Sequence, residues 1–104
     1  MTTGVYGIFD IRDGVCLYVG QSGNVEIRLK TKQKNLKSKH VSSLDEFIDW
    51  FHANGADTSI LDMKLLETCD NTDQSKNLTE LKWYTILNPT FAGKIPSENE
   101  KWAL

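Results

Sequence analysis

Tyr18-Val19-Gly20-Gln21-Ser22-Gly23-Asn24-Val25-Glu26-Ile27-Arg28 reads as a strand that breaks on glycine and restarts as a capped helix. The apolar alternation Val15, Leu17, Val19 stops at Gly20, and four residues rich in glycine and polar side chains follow. Asn24 carries the short amide that suits a helix N-cap, so the helix is expected to begin at Val25. Arg28 then falls one turn in. A tyrosine near the end of a strand and a guanidinium one turn into the next helix approach the same edge of a sheet, an arrangement able to hold a phosphate group.

Upstream of this stretch, Val5, Gly7, Phe9 and Ile11 alternate with Tyr6, Ile8 and Asp10. A two-residue turn at Asp13-Gly14 would place Leu17 and Val19 on the face of Asp10 and Tyr6 and split the apolar set. A three-residue loop, Arg12 to Gly14 with Gly14 left-handed, keeps every odd-numbered residue on one buried face. Tyr6 and Tyr18 then share the other, non-core face as diagonal neighbours about 7–8 Å apart.

Downstream, Val25, Leu29 and Leu36 form one helical stripe, with Arg28 flanking it and Lys32 on it, so both cations are expected to point inward. The helix is expected to fray near Asn35. Between positions 28 and 40 stand Arg28, Lys30, Lys32, Lys34, Lys37, Lys39 and His40 with no acid among them. Leaving His40 neutral, this run carries +6 and leaves −8 for the rest of a chain whose net charge is −2. That asymmetry fits a solvated face or a nucleic-acid contact, and the net charge argues against a protein that coats nucleic acid.

Ser43 and Glu46 have the spacing of a capping box, and Leu44, Phe47, Ile48 and Phe51 mark an amphipathic helix ended by Gly55, with His52 at its surface. A third strand is expected over Ser59 to Leu66, where Leu61, Met63 and Leu65 alternate with Asp62 and Lys64. A polar loop, Asp70 to Ser75, leads to a helix from about Ser75 to Leu87. On that helix Leu81, Trp83, Tyr84 and Leu87 share a broad apolar sector with Glu80 near its middle, while Lys82 faces away. A carboxylate placed there requires a cation, either a neighbouring Arg or Lys or a bound metal. Asn88-Pro89 stops the helix.

One core fits in 104 residues, and no separate recognition module does. Residues 1–93 are expected to form the domain, and residues 94–104 a tail packed back on it, with Phe91, Ile95 and Trp102 available for that contact. No apolar run reaches the ~20 residues of a membrane span, so no membrane association is expected. Nor does the start have the shape of a signal peptide. A cytoplasmic protein is therefore expected, and Cys16 and Cys69 read as buried small hydrophobes in a reducing compartment.

Taken together, the order Gly4-Val5-Tyr6, Tyr18-Val19-Gly20, Arg28, Glu80 with Trp83 three residues on, and Asn88-Pro89-Thr90-Phe91 resembles the GIY-YIG nuclease family over about Gly4 to Phe91. The resemblance implies an α+β fold, a small three-stranded antiparallel sheet flanked by about three helices. It implies hydrolysis of DNA phosphodiester bonds with one divalent ion, Mg²⁺ or Mn²⁺, held by Glu80. Tyr6, Tyr18, Arg28 and Glu80 would be catalytic. Tyr6 would act as base or water-orienting group and Tyr18 would position phosphate and water, with the two roles exchangeable. Lys30, Lys32, Lys34, Lys37, Lys39 and His40 would contact nucleic acid. Target recognition would come from this basic run, from self-association or from a partner protein. The chain departs from the family pattern at two places: Lys32 stands where many members have a histidine, and Ala92 where many have an asparagine. An inactive nucleic-acid-binding or protein-interaction module on the same scaffold is the alternative reading.

Overall fold

The computed structural model describes residues 1–37 and 46–91. Its elements are β1 (Gly4–Asp10), β2 (Cys16–Ser22), α1 (Val25–Lys37), α2 (Glu46–Ala53), a single 3₁₀ turn (Thr58–Ile60), β3 (Leu61–Thr68) and α3 (Asp73–Leu87). The three strands form one antiparallel sheet in the order β2-β1-β3. The expected α+β architecture is present. The proposed capping box at Ser43, the tail from Ala92 onward, and the side chains of Leu36, Lys37, Lys39, His40 and Ile48 lie outside what is described.

The β1–β2 connection turns on Gly14, whose φ of 75° is open to glycine without strain. Its N–H donates to the Asp10 carbonyl at 2.8 Å, and Asp10 N–H donates to Val15 O at 2.9 Å. The left-handed glycine is as expected, but the segregation of odd-numbered residues is not. Tyr18 pairs with Ile8 and Cys16 with Phe9, so Leu17 is the extra residue of a bulge. Past that bulge the parity inverts: Cys16 joins the face of Val5 and Val19, Leu17 joins that of Tyr6 and Ile8, and Ile11 and Val15 are left exposed.

Both faces of the sheet are covered, which corrects the expectation of a non-core face. On one, Tyr6, Ile8 and Leu17 pack with Val25 and Leu29 of α1, Phe47, Trp50 and Phe51 of α2, and Leu61 and Met63 of β3. On the other, Val5, Cys16 and Val19 pack with Leu66 and with Trp83, Tyr84 and Leu87 of α3. Tyr6, at 1% exposure, is therefore a core residue of the face beneath α1 and α2. Period-two alternation does not separate two faces that are both apolar.

β3 begins two residues later than expected because Asp57, accepting from Ser59 N–H at 2.9 Å, caps the 3₁₀ turn that consumes Thr58 to Ile60. A second bulge, at Leu66, turns that side chain toward α3. His52, expected at the surface, is half-buried: it meets Phe51 edge-on at 5.6 Å, and its Nε2 is enclosed without a hydrogen-bond partner among the described residues.

α3 starts at Asp73, ahead of the expected Ser75, because Thr72 takes the cap: its Oγ1 accepts from Ser75 N–H at 3.1 Å. Thr72→Ala is expected to cost about 1 kcal/mol of stability, readable as a lower melting temperature with an unchanged fold. The helix ends at Asn88, left-handed with φ 46°, whose N–H donates to Tyr84 O at 2.8 Å. Beyond Pro89 the chain runs along β2, with Thr90 N–H on Cys16 O at 3.0 Å and Phe91 N–H on Leu17 O at 2.8 Å. This carries the Phe91 ring onto Phe47 and Trp50, at 5.8 and 6.0 Å between centroids.

Candidate active site

At the Gly20 end of β2, α1 brings polar side chains over one face of the sheet and α3 over the other. Tyr6 on β1 pairs with Gly20, and Tyr18 with Ile8, so the two tyrosines are diagonal neighbours as expected. Their rings stack with centroids 6.2 Å apart and planes at 29°. Gly20 is required by that stack: a Cβ there would overlap Tyr6 Oη and approach Tyr18 Cε1 to 3.0 Å. Phe47 continues the pile at 5.9 Å from Tyr18.

α1 brings the cations. Asn24 caps it, its Oδ1 accepting from Ile27 N–H at 3.3 Å. Arg28 reaches Tyr6 with its guanidinium, yet as a residue it is exposed rather than turned inward. That difference has a physical reason: flanking the apolar stripe puts the Cα at the rim, and the long side chain can satisfy the buried phenol while its charged end meets water. Lys32 is half-buried, with Nζ 4.0 Å from the centroid of the Tyr18 ring. Lys30 and Lys34 are exposed on the same helix, outside the cluster.

α3 supplies the acid. Glu80 is 6% exposed, and no ion pair among the described residues reaches it. Its neighbour Lys82 faces away as expected, pairing with Glu67, which also accepts from Trp83 Nε1 at 2.9 Å. The structural Arg or Lys weighed as a partner for Glu80 is thus absent among the described residues. Burial pushes the Glu80 carboxyl up to about 7, and a hydrogen bond from Gln21 is what opposes the rise. Gln21 Nε2 also donates to Asn77 Oδ1 at 2.6 Å. The sequence reading did not single out Gln21 or Asn77. Their signal was there: a long amide directly after the strand-ending glycine, and a second amide one helical turn before the buried acid.

Electrostatically the two phenols are the common members: each feels Arg28 on one side and Glu80 on the other. Burial raises Tyr6 above its ordinary range, hydrogen bonding and charge from Arg28 pull it back, and the negative charge of Glu80 adds to the rise. Tyr18 is raised as well, by burial first, then by Tyr6, Tyr84 and Glu80, with Arg28 opposing. Both phenols are therefore hydrogen-bond donors at neutral pH, and neither is ionised. Arg28 supplies a bidentate anion-binding group, and Glu80 supplies hard carboxylate oxygens with no cation paired to them among the described residues.

A small antiparallel sheet in the order β2-β1-β3, with helices on both faces, is a fold this chain shares with a solved endonuclease domain. A solved structure with this architecture is the catalytic domain of the intron endonuclease I-TevI, in a mutant form, which this chain matches with a TM-score of 0.66 and 24% identity over 85% of its own length and 86% of that domain. No family model matches the chain, and no curated protein does. The likeness establishes the fold, and the chemistry is argued from the residues.

Proposed function

We propose that this protein is a divalent-metal-dependent endonuclease that hydrolyses DNA phosphodiester bonds. The observation that carries the reading is Glu80, a buried carboxyl that no ion pair among the described residues reaches, within electrostatic range of two phenols, one of which also feels Arg28 as a hydrogen-bonding and charged neighbour. The endonuclease catalytic domain that shares the fold supports it. Among the described residues no three His, Cys, Asp or Glu gather into a metal cage. The donor set therefore fits an ion bound through one carboxylate, with substrate phosphate and water completing its shell, as Mg²⁺ and Mn²⁺ prefer. Such an ion, when bound, supplies a Lewis acid at the scissile phosphate.

The chain's own groups do the rest. Arg28 forks across two phosphate oxygens and offsets the charge that develops as the phosphorus gains a fifth ligand. Tyr6, protonated and anchored by Arg28, donates to a phosphate oxygen or orients the attacking water; its raised pKa favours this over the role of base. Tyr18 fixes the position of Tyr6 and of Lys32. Lys32, near the phenols, binds the phosphate, and Lys30 and Lys34 follow the neighbouring backbone, so binding should weaken with salt. Target recognition is assigned to the basic segment, to a second copy or to a partner protein.

Supercoiled plasmid incubated with the purified protein is expected to become nicked or linear with Mg²⁺ or Mn²⁺ and to survive intact with chelator. Intact plasmid under every metal condition would overturn the nuclease. Salt-sensitive binding in that case would assign a nucleic-acid-binding module in its place.

A further inference from the structure

We propose that Gln21 and Asn77 are positioning residues that hold the Glu80 carboxylate in the orientation needed to take a divalent cation. The proposal rests on the nuclease reading and extends it to how the single acid is preorganised.

The geometry comes from two elements. Gln21 is paired with Val5 at the end of β2, which puts its side chain on the α3 side of the sheet. Asn77 and Glu80 are one helical turn apart on α3 and so face the same way. Gln21 Nε2 donates to Asn77 Oδ1 at 2.6 Å across 56 residues of chain. A primary amide nitrogen carries two hydrogens, and with one used on Asn77 the other is left for the Glu80 carboxyl on the same side of α3, where Gln21 is the group that opposes the rise caused by burial. Turning both amides over would keep the Gln21–Asn77 bond but set the Gln21 oxygen against the ionised acid. The carboxylate therefore decides the orientation of the pair.

The chemistry of the partner matters as much as its place. A lysine or arginine at position 21 would neutralise Glu80 and occupy the position of the metal. A neutral amide takes up one lone pair of the carboxylate, fixes its rotation and leaves the remaining lone pairs and the whole charge for an ion. Outer partners of this kind orient metal-binding carboxylates, and their loss weakens metal affinity about 10- to 100-fold.

The test is calorimetric titration of the purified protein with MnCl₂ in the absence of DNA, with melting temperatures measured alongside. Gln21→Met keeps the length of the side chain and removes the donor; Mn²⁺ affinity is expected to fall about 10- to 100-fold. Asn77→Leu removes only the anchor of Gln21, and a smaller loss is expected. Because Asn77 acts through Gln21, the double variant should bind no more weakly than Gln21→Met alone. Affinity of Gln21→Met within about twofold of wild type, or losses that multiply in the double variant, would overturn the proposal while leaving the metal site standing. If Gln21→Met does not fold, the Asn77→Leu titration decides, wild-type affinity being the overturning result. Mn²⁺ binding that is unchanged in Glu80→Gln would overturn the nuclease reading and this proposal with it.

Discussion

Glu80→Gln is expected to lower the rate of DNA cleavage by roughly a thousandfold or more, with DNA affinity unchanged or higher because a negative charge near the phosphates is gone. Gel-shift and plasmid-cleavage measurements on the same preparation check both halves, and undiminished cleavage would refute the assignment. The same substitution has a second, opposite consequence for the metal-free protein. The Glu80 carboxyl lies at about 7 in the folded chain against an ordinary value of 4.5. Between those limits the folded state binds more protons than the unfolded state, so stability is complete below pH 4.5 and declines as pH rises to about 7. The loss is on the order of 3 kcal/mol. Glu80→Gln removes this titration. The metal-free variant should melt higher than wild type above neutral pH, and Mg²⁺ should raise the melting temperature of wild type alone.

Arg28→Ala is expected to lower cleavage by roughly a hundred- to a thousandfold, and Arg28→Lys to recover part of it, because the lysine restores charge without the fork. Its effect on binding should be small by comparison, a decrease of about 0.9 in the slope of log affinity against log salt for one lost phosphate contact. Arg28 is also the main influence holding the Tyr6 phenol down against burial. Its removal should move tyrosinate formation to higher pH, visible in an ultraviolet titration. Cleavage falling without that spectral change would place Arg28 on the phosphate alone.

The features legible in the sequence are those that depend on local chemistry. Asn24 as cap, Gly14 as left-handed turn residue, Tyr6 and Tyr18 on one face, and Glu80 as an acid among aromatics each follow from one residue type at one spacing. What was not legible depended on long-range packing. Nothing in Cys16-Leu17-Tyr18 announces a bulge, yet it exchanges the faces of two side chains. Covering both sides of the sheet makes Tyr6 a core residue, whereas alternation alone set it on a polar face. Arg28 was expected to turn inward because a helical wheel gives the direction of Cβ, while the end of a long side chain is free to leave it. Gln21 escaped notice because its partners, Asn77 and Glu80, are separated from it by more than half the chain.

The absence of a side chain at position 20 has a consequence for how this protein can change. The phenol of Tyr6 fills the volume where any other residue's Cβ would stand, so neither site can drift by itself. An alanine at 20 evicts the ring before it touches the strand, and a smaller residue at 6 opens a void that only then admits one. Substitutions at the two positions should therefore be tolerated in combination or not at all, and variants that gain bulk at 20 should be those that have already given up the aromatic alcohol.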